Sequence, residues 1–348
     1  MENISQNTSP PKLIWVNFLR TLGSFLVVLA HTLAHTRGWG PYWITAFYDT
    51  LSRNAVPLFF MISGFLLLSK QEDVVTFLKK RAWKILIPFF AWSILYDVYW
   101  NQELSKGINV TSLARLLIRV LRGTRAFHLW FLYVLIGLYL FTPILRIFVK
   151  QAQSIDFLYF IGLWLIVVPG FAIIQYFTPF TFGFELQFVT GYVGYYILGL
   201  YLGKMEFSKK ALIFFSALFI LGFLFTFLVL FLDIPPRGSV NEIVFRSYLS
   251  INIIVMTAAS YVLLKFIGGK ITGFLPILDV LSKASFGIFL VHPIVLRWMQ
   301  QSWETLDFSV GTNSSLWTIP LAALIAYLAS FILIITLKKI PLIKYIVP

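Results

Sequence analysis

The chain has no cysteine among its 348 residues, and charged residues are scarce at 12%. The absence of cysteine excludes a disulfide framework, a C-x-x-C redox motif and any metal site that needs a thiolate ligand. Soluble domains carry about 25% charged residues. The low charge, with 59% hydrophobic and 18% aromatic residues, excludes a soluble globular protein and a disordered chain. What remains is a polytopic helical membrane protein.

Acidic residues are the scarcer charge type, because 14 Asp and Glu stand against 28 Lys and Arg and leave a net charge of +14. An excess of this kind is also typical of proteins that bind nucleic acid. In a chain this apolar, membrane topology explains it better, because Lys and Arg collect in cytoplasmic loops. We therefore expect a lipid bilayer, and no nucleic acid, as the partner of this basic surface.

Long hydrophobic runs dominate the sequence. A membrane-spanning helix needs about 20 mostly apolar residues. Ten segments meet or approach this length: 13–36, 51–69, 84–101, 128–149, 156–177, 187–203, 210–232, 246–267, 275–298 and 316–337. The short connections leave no room for a separate soluble domain. The sequence predicts an all-α protein with about ten transmembrane helices, forming one membrane-embedded domain over residues 1–348.

Positive charge is divided unequally between alternate connections. If both termini lie in the cytoplasm, the cytoplasmic segments hold 17 basic residues and the outer segments hold 10. The positive-inside rule therefore predicts an N-in, C-in orientation. Half of the outer charge lies in one connection, at Lys106, Arg115, Arg119, Arg122 and Arg125.

That outer connection has a helical pattern. Arg115, Arg119 and Arg122 recur at i, i+4 and i+7, and leucine and valine side chains occupy the other face. The pattern predicts an amphipathic helix that lies in the membrane interface, with Thr111 or Ser112 as its N-cap. The arginines either anchor this helix to anionic headgroups or attract an anionic acceptor to the outer face.

The first predicted span carries two ionisable residues, Arg20 and His31. Eleven residues turn an α-helix through about 1100°, so the two lie on one face, about 16 Å apart along the axis. Ionisable residues inside a span are expensive and are functional candidates by default. The structural alternatives are that Arg20 extends to the cytoplasmic headgroups and that His31 makes a helix-packing hydrogen bond.

Three of the four histidines are predicted to lie at a similar depth. His128 opens the fourth span from the outer side, and His292 lies late in the ninth, which enters from the cytoplasm. With His31 they would form a polar cavity open to the outside, unless each histidine only ends its own helix near the interface. His31 and His35 form an H-x-x-x-H pair, but no third ligand lies nearby, so we expect no metal.

A basic cluster at Lys79, Lys80, Arg81 and Lys84 precedes the third span. Such a cluster is typical of cytoplasmic charge that contacts lipid headgroups. It can equally hold the phosphates of a nucleotide-like cofactor, because Arg offers a bidentate fork of donors. No P-loop and no G-x-G-x-x-G motif accompanies it.

Four sequence blocks resemble the membrane acyltransferase 3 family. They are NFLRTLGSFLVVLAHT, VPLFFMISGFLL, HLWFLYVLIGLYLFTPILR and SFGIFLVHPIV, in the family's order along nearly the whole chain. Within the family, the chain most resembles stand-alone O-acetyltransferases, such as the one that modifies enterobacterial common antigen. Two positions depart from the pattern: Asn17 stands where many members have Asp, and Lys84 stands in a pair that is usually two arginines. Lysine lacks the bidentate fork.

The resemblance implies transfer of an acyl group, most often acetyl, from cytoplasmic acyl-CoA to a hydroxyl of a cell-surface glycan or its lipid-linked precursor. It implies a multi-pass protein of the bacterial cytoplasmic (inner) membrane. His31 and Arg20 would be catalytic, with His31 as general base. Acetyl-CoA or another acyl-CoA is the expected donor cofactor, held at its phosphates by Lys80, Arg81 and Lys84. The acceptor end is expected to comprise His128, His292, Glu185 and Trp130.

An alternative of a different class is a transporter or flippase of lipid-linked sugars or another polar solute. Polytopic architecture and charges at membrane depth suit this alternative equally well. It predicts inverted repeats and paired broken helices, which the sequence does not show, and no dependence on acyl-CoA. Whether an acyl-histidine forms during transfer stays open at this point, although the absence of cysteine excludes a thiol carrier.

Overall fold

A computed structural model describes residues 13–36, 39–101, 109–124, 126–180, 189–234, 243–305, 315–341 and 343–347. These residues form helices and the turns between them, and no strand occurs among them. The helices are α1 (Ile14–His35), α2 (Tyr42–Ser52), α3 (Ala55–Leu68), α4 (Val74–Arg81), α5 (Ile87–Tyr96), α6 (Val110–Arg122), α7 (Trp130–Gln151), α8 (Ser154–Leu165), α9 (Phe171–Phe177), α10 (Val193–Lys204), α11 (Lys209–Phe231), α12 (Ile243–Arg246), α13 (Ile251–Gly269), α14 (Leu275–Thr305) and α15 (Ser315–Lys338). The all-α prediction is confirmed.

Eight helical stretches in the described residues are long and apolar enough to cross a membrane. They are Ile14–His35, Tyr42–Leu68, Phe127–Gln151, Ser154–Phe177, Lys209–Phe231, Val244–Gly269, Leu275–Ser302 and Ser315–Lys338. Each matches one of the ten predicted spans, so the polytopic architecture is confirmed. The other two predictions, 84–101 and 187–203, fall on a helix broken by π turns and on the short α10, so the count of ten stays a prediction.

Proline accounts for the broken stretch between α4 and α5. Residues Ala82–Leu86 form a π turn that ends two residues before Pro88. A similar turn at Ile166–Gly170 contains Pro169 and joins α8 to α9. Proline has no N–H and its ring collides with the carbonyl four residues earlier, and a widened turn relieves both problems. The chain therefore stays helical through both prolines.

Helix α1 lies at the centre of the bundle, where it packs against α13, α14, α15 and α3. Helix α3 packs in turn on α10, with the two backbones in direct contact at two glycines. A Cβ on Gly64 would lie 1.8 Å from the Tyr196 carbonyl oxygen, and one on Gly199 would lie 2.1 Å from the Met61 carbonyl oxygen. Only glycine allows this approach.

The bundle has two chemically distinct ends. One end, here called the basic end, carries Lys70, Arg81, Lys84, Arg146 and Lys204, which line two neighbouring cavities. The other, called the histidine end, carries the C-terminal half of α1 and the middle of α14. The basic side chains and three of the histidines are therefore gathered in two separate regions of the bundle.

The predicted amphipathic helix exists as α6, at the histidine end. Ser112, Leu116 and Val120 are buried against the bundle, whereas Leu117 and Leu121 remain exposed. The prediction that Thr111 or Ser112 caps this helix is wrong. The cap is residue 109: the Asn109 side chain accepts from the Ser112 N–H at 2.8 Å, and the Asn109 N–H donates to the Ser112 hydroxyl at 2.9 Å. Asparagine is one of the strongest N-cap residues.

Candidate functional site

Three histidines from three helical segments meet at the histidine end. The His31 and His292 rings are stacked with centroids 5.0 Å apart, and the His128 ring lies 5.5 Å from His292, nearly perpendicular to it. His128 and His292 are almost completely buried. The convergence predicted from helix depth is therefore confirmed. Together these residues are called the histidine cluster.

The local helix fixes the tautomer of His292. Its Nδ1 lies 3.1 Å from the Ile288 carbonyl oxygen, one turn earlier in α14. A carbonyl only accepts, so Nδ1 carries the proton and Nε2 keeps its lone pair. Pro293 follows directly and has no N–H. A neutral imidazole with a free lone pair is the form that takes up a proton.

Aromatic rings enclose the histidine cluster. Phe127 packs edge-on against His31 at 4.8 Å, and Tyr96 packs against His128 at 5.0 Å. The Tyr96 hydroxyl donates to the Leu290 carbonyl oxygen at 2.6 Å, which fixes this ring beside α14. Phe289 contacts both His128 and His292, with centroid distances of 5.4 and 6.1 Å. The enclosure lowers the local dielectric and strengthens any charge interaction inside it.

A cavity of about 350 Å³ extends from Phe289 toward the basic end. Its inner wall is apolar and includes Val27, Phe59, Phe131 and Leu135. Arg20, Val27 and His31 recur at i, i+7 and i+11, so they follow one face of α1. Arg20 and Val27 line the cavity, and His31 lies one turn further along. The cavity ends one side chain, Phe289, away from the histidine cluster.

Four cations line the other end of this cavity, which is called the donor cavity below: Arg20, Arg81, Lys84 and Lys283. Arg81 lies over the Phe77 ring at 5.3 Å, and its buried Nε has no protein partner among the described residues. Lys283 pairs with Asp279 at 2.7 Å but stays 71% exposed. Cations gathered at the mouth of an apolar cavity suit an anionic group with an apolar extension.

Asn17 leaves the Arg20 charge without a carboxylate on its own helix. The Asn17 amide donates to Asp279 at 3.3 Å and accepts from the Ser282 hydroxyl at 3.0 Å. It therefore ties α1 to α14 instead of pairing with Arg20. Asn17 thus has a structural role of its own.

Lys80 does not line the donor cavity. Its ammonium donates to Glu72 at 2.5 Å, and Arg146 lies 3.8 Å from the same carboxylate. The hydrogen bond from Lys80, followed by the charges of neighbouring basic groups, lowers the pKa of Glu72 below its usual 4.5. Of the three residues predicted to hold the donor, the structure therefore brings Arg81 and Lys84 together and separates Lys80.

The residues expected at the acceptor end are only partly brought together. His128 and His292 lie in the histidine cluster. Trp130 instead stacks on Tyr248 at 5.7 Å and contacts Tyr192 at 5.6 Å. Successive residues at the start of α7 point in different directions: Trp130 faces Tyr192 and Tyr248, whereas Phe131 faces Phe289 at 5.4 Å. Glu185 lies outside the described residues.

Sequence reasoning missed Lys283, Ser282, Tyr139 and Phe289, which all line the donor cavity. For Lys283 a signal was present, because it is an ionisable residue inside the predicted ninth span. Phe289 carried none, because one phenylalanine among 36 has no distinctive pattern. Within the described residues no group of three His, Asp or Glu side chains is arranged to hold a metal ion, and the expectation of a metal-free site stays a prediction.

Comparison with known families gives a match over most of the chain. Neither the curated proteins nor the solved structures contain a significant match to the chain. Residues 13–338 match the family model Acyl_transf_3, described as an acyltransferase domain. This match spans the donor cavity, the histidine cluster and every helix from α1 to α15. The chain therefore belongs to the acyltransferase 3 family of multi-pass membrane acyltransferases.

Proposed function

We propose that this protein transfers an acyl group, most often acetyl, from acyl-CoA in the donor cavity to a hydroxyl of a cell-surface glycan or of its lipid-linked precursor. The observation that carries the proposal is the order of groups along α1. Cations lie at one end of an apolar cavity. The histidine cluster, whose imidazoles can take up a proton, lies just beyond the other end of that cavity. A phosphorylated carrier with an acyl thioester at its far end has the same order of groups.

Arg20, Arg81 and Lys84 would bind the CoA phosphates, with Lys283 as a fourth cation. Arg81 has the buried Nε that lacks a protein partner, and a guanidinium forms strong charge-assisted bonds with phosphate. Lysine at position 84 supplies charge without the bidentate fork. Arg20, on the same face as His31, would orient the donor toward the histidine cluster. Lys80 would contribute only through its ion pair with Glu72.

The chemical step is acyl transfer from sulfur to oxygen. His31 accepts the hydroxyl proton of the acceptor as its oxygen attacks the thioester carbonyl. The carbon–oxygen bond forms, the carbon–sulfur bond breaks, and the imidazolium returns the proton to the departing CoA thiolate. Stacking of His292 on His31 holds the His31 ring in place. The Nε2 lone pair of His292 lies in the same low-dielectric enclosure of aromatic rings. No thiol of the protein takes part, because the chain has none.

The orientation proposed for this reaction is N-in, C-in. The basic end would then face the cytoplasm, where acyl-CoA is made, and the histidine end would face outward, where the glycan lies. The protein would be a multi-pass protein of the bacterial cytoplasmic membrane and would function like the O-acetyltransferases that modify surface polysaccharides.

Transfer can be tested directly with purified full-length protein. Incubation with radiolabelled acetyl-CoA and isolated surface glycans should move label into the glycan. The rival function, a transporter of lipid-linked sugars, predicts no dependence on acetyl-CoA and no labelled glycan. Failure to label any glycan of the source cell, with active acetyl-CoA present, would overturn the proposal.

Two sets of variants test the proposed roles. His31→Ala should reduce label transfer by at least about 100-fold, the usual contribution of a general base, while acetyl-CoA binding stays intact. The double variant Arg81→Gln, Lys84→Gln should weaken acetyl-CoA binding. The matched control is Lys79→Gln, Lys209→Gln, which removes the same charge from exposed residues outside the donor cavity. Equal loss in both double variants would mean that net charge, and not the cavity, binds the donor.

A further inference from the structure

A second cavity opens at the histidine end, on the far side of the histidine cluster from the donor cavity. Its volume is about 300 Å³, within the lower range of known ligand pockets. It is lined mainly by His35, Trp100, Phe127, Arg297, Gln300 and Gln301. None of these residues lines the donor cavity. The two cavities are therefore separate spaces that approach the same three imidazoles.

Each wall of this cavity is connected to the histidine cluster. Phe127 lines the cavity and packs on His31 at 4.8 Å. Trp100 lines it and stacks on Tyr96 at 4.6 Å, and that tyrosine packs on His128. Pro293, also in the lining, directly follows His292. Phe127 also packs on His128 at 5.6 Å, so a molecule in this cavity would lie one side chain from His31 and His128 and beside the residue that follows His292.

The cavity carries the polar groups that a sugar needs. The Nδ1–H of His35 donates to the side-chain oxygen of Gln300, which leaves His35 Nε2 as an acceptor for a hydroxyl. The indole N–H of Trp100 is buried without an acceptor among the described residues, and a buried donor of this kind costs free energy until something accepts from it. In such a cavity the large aromatic faces bind the apolar side of a ligand, and the neighbouring amide groups bind its polar side.

Arg297 adds a positive charge to the cavity. It is exposed, its guanidinium lies 5.6 Å from the centre of the Tyr99 ring, and no carboxylate of the described residues lies within ion-pair distance of it. Asp97, which lies two residues before Tyr99, pairs instead with Arg119 of α6 at 3.7 Å. A planar guanidinium at an otherwise uncompensated site favours a carboxylate or a phosphate.

We infer that this cavity is the acceptor site and that the acceptor is an anionic saccharide whose carboxylate or phosphate binds Arg297. The inference rests on the proposed function, because it takes the acceptor hydroxyl to the histidine cluster. The sugar ring would pack on Trp100, with hydroxyls bound by His35 and the two glutamines.

Binding without donor tests the site alone. Full-length protein in detergent is titrated by calorimetry with digalacturonate as the carboxylate probe, glucose 1-phosphate as the phosphate probe and maltose as the neutral probe. We expect one or both anionic probes to bind at least about tenfold more tightly than maltose, a difference of about 1.4 kcal/mol. The better of the two anionic probes identifies which anion the site prefers. Equal affinity for all three probes, or no heat with any of them, overturns the inference.

Arg297→Gln should lose that preference, and Arg297→Lys should retain part of it. The matched control is Arg122→Gln, which removes one exposed positive charge of α6 outside the cavity. Equal weakening by Arg122→Gln would show that a general surface field, and not this site, binds the anion. Retained acetyl-CoA affinity and an unchanged Tm show that each variant is folded.

Transfer assays separate this inference from the proposed function. If acetyl-CoA is consumed and glycan is labelled, but Arg297→Gln leaves the KM for the glycan unchanged, the acceptor site is wrong and the acyltransferase stands. If the anionic probe binds through Arg297 while acetyl-CoA never binds, the saccharide site stands and the acyltransferase function fails. Both proposals hold only if Arg297→Gln raises the glycan KM and leaves acetyl-CoA affinity intact.

Discussion

At the scale of the residue, Glu72 pairs with two cations that do not line the donor cavity, Lys80 and Arg146. Lys80 donates to it at 2.5 Å, and Arg146, which also donates to the Leu67 carbonyl oxygen at 2.9 Å, lies 3.8 Å away. The ion pairs hold the loop after α3 against α7. Their net contribution is small, about 1 kcal/mol, because Lys80 is exposed and screened. Glu72 therefore makes a small contribution to the stability of the fold.

Glu72→Gln should lower the Tm of the purified protein at about pH 7 and have little effect in acid. Because the folded-state pKa of Glu72 lies below its usual 4.5, its stabilisation is complete above that value and is lost as the pH falls through the folded-state pKa. Thermal unfolding followed from about pH 7 to pH 3.5 measures the difference between the two proteins. Glu206→Gln is the control, because this carboxylate is 96% exposed beside Lys265. A difference that persists unchanged in acid would contradict the assigned ion pairs.

Asn17→Asp should destabilise the chain. The new carboxylate would face Asp279, to which the Asn17 amide now donates at 3.3 Å, and two like charges in contact repel each other. Asp279→Asn in the same chain should restore the Tm, because the pair then has one carboxylate again. A double-mutant cycle in thermal unfolding measures this coupling. Additive effects would show that the two side chains do not interact.

The residue scale also shows how far the sequence could predict the site. The histidine cluster followed from span order and depth alone, because four histidines in a chain this apolar are few enough to place. Lys80 and Arg81 are adjacent in sequence and equally basic, so only the fold separates the one paired with Glu72 from the one in the cavity. The direction of the Trp130 side chain could not be predicted for a related reason: at the start of a helix it depends on the neighbouring helices, which the sequence pattern of one chain does not give.

At the scale of the element, the membrane-spanning helices were predictable from the sequence, and the residues at which helices begin and end were not. Hydrophobic runs identified the eight spans, because length and composition decide whether a helix crosses a membrane. The N-cap of α6 was missed because Asn109, Thr111 and Ser112 are all good capping residues, and the choice among them depends on where the chain enters the interface. The π turns before Pro88 and at Pro169 needed the structure, because a proline in a helical run can end the helix or widen it.

Gly64→Ala should disrupt the contact between α3 and α10. Its new Cβ would lie 1.8 Å from a backbone oxygen of Tyr196, and neither backbone can move without separating the two helices. We expect a loss of about 3 kcal/mol, the upper end for overpacked cores, seen as a lower Tm in detergent. Gly137→Ala in α7 is the matched control: nothing lies within 4 Å of its new Cβ, so alanine should leave the Tm unchanged or raise it. Equal effects at both glycines would contradict this helix contact.

At the scale of the whole molecule, the two cavities approach the histidine cluster from opposite sides of the bundle. A donor that enters at the basic end and an acceptor that enters at the histidine end would meet across Phe289 and the histidine cluster. Neither substrate would have to cross the membrane, because the acyl group alone passes from one side to the other. The charge count predicted the same direction, since three of the basic residues that were assigned to the cytoplasmic side, Arg20, Arg81 and Lys84, also line the donor cavity.

The N-in, C-in orientation can be measured because the chain has no native cysteine, so one substitution supplies one thiol. Gln71→Cys places it in the exposed loop of the basic end, and Ser302→Cys places it on the exposed last turns of α14 at the histidine end. On intact cells a membrane-impermeant maleimide should label Ser302→Cys, whereas Gln71→Cys should react only after the membrane is permeabilised. The unsubstituted chain is the control and should take up no label. The reverse pattern would place the donor cavity outside, away from cytoplasmic acyl-CoA, and would contradict both the orientation and the route proposed for the acyl group.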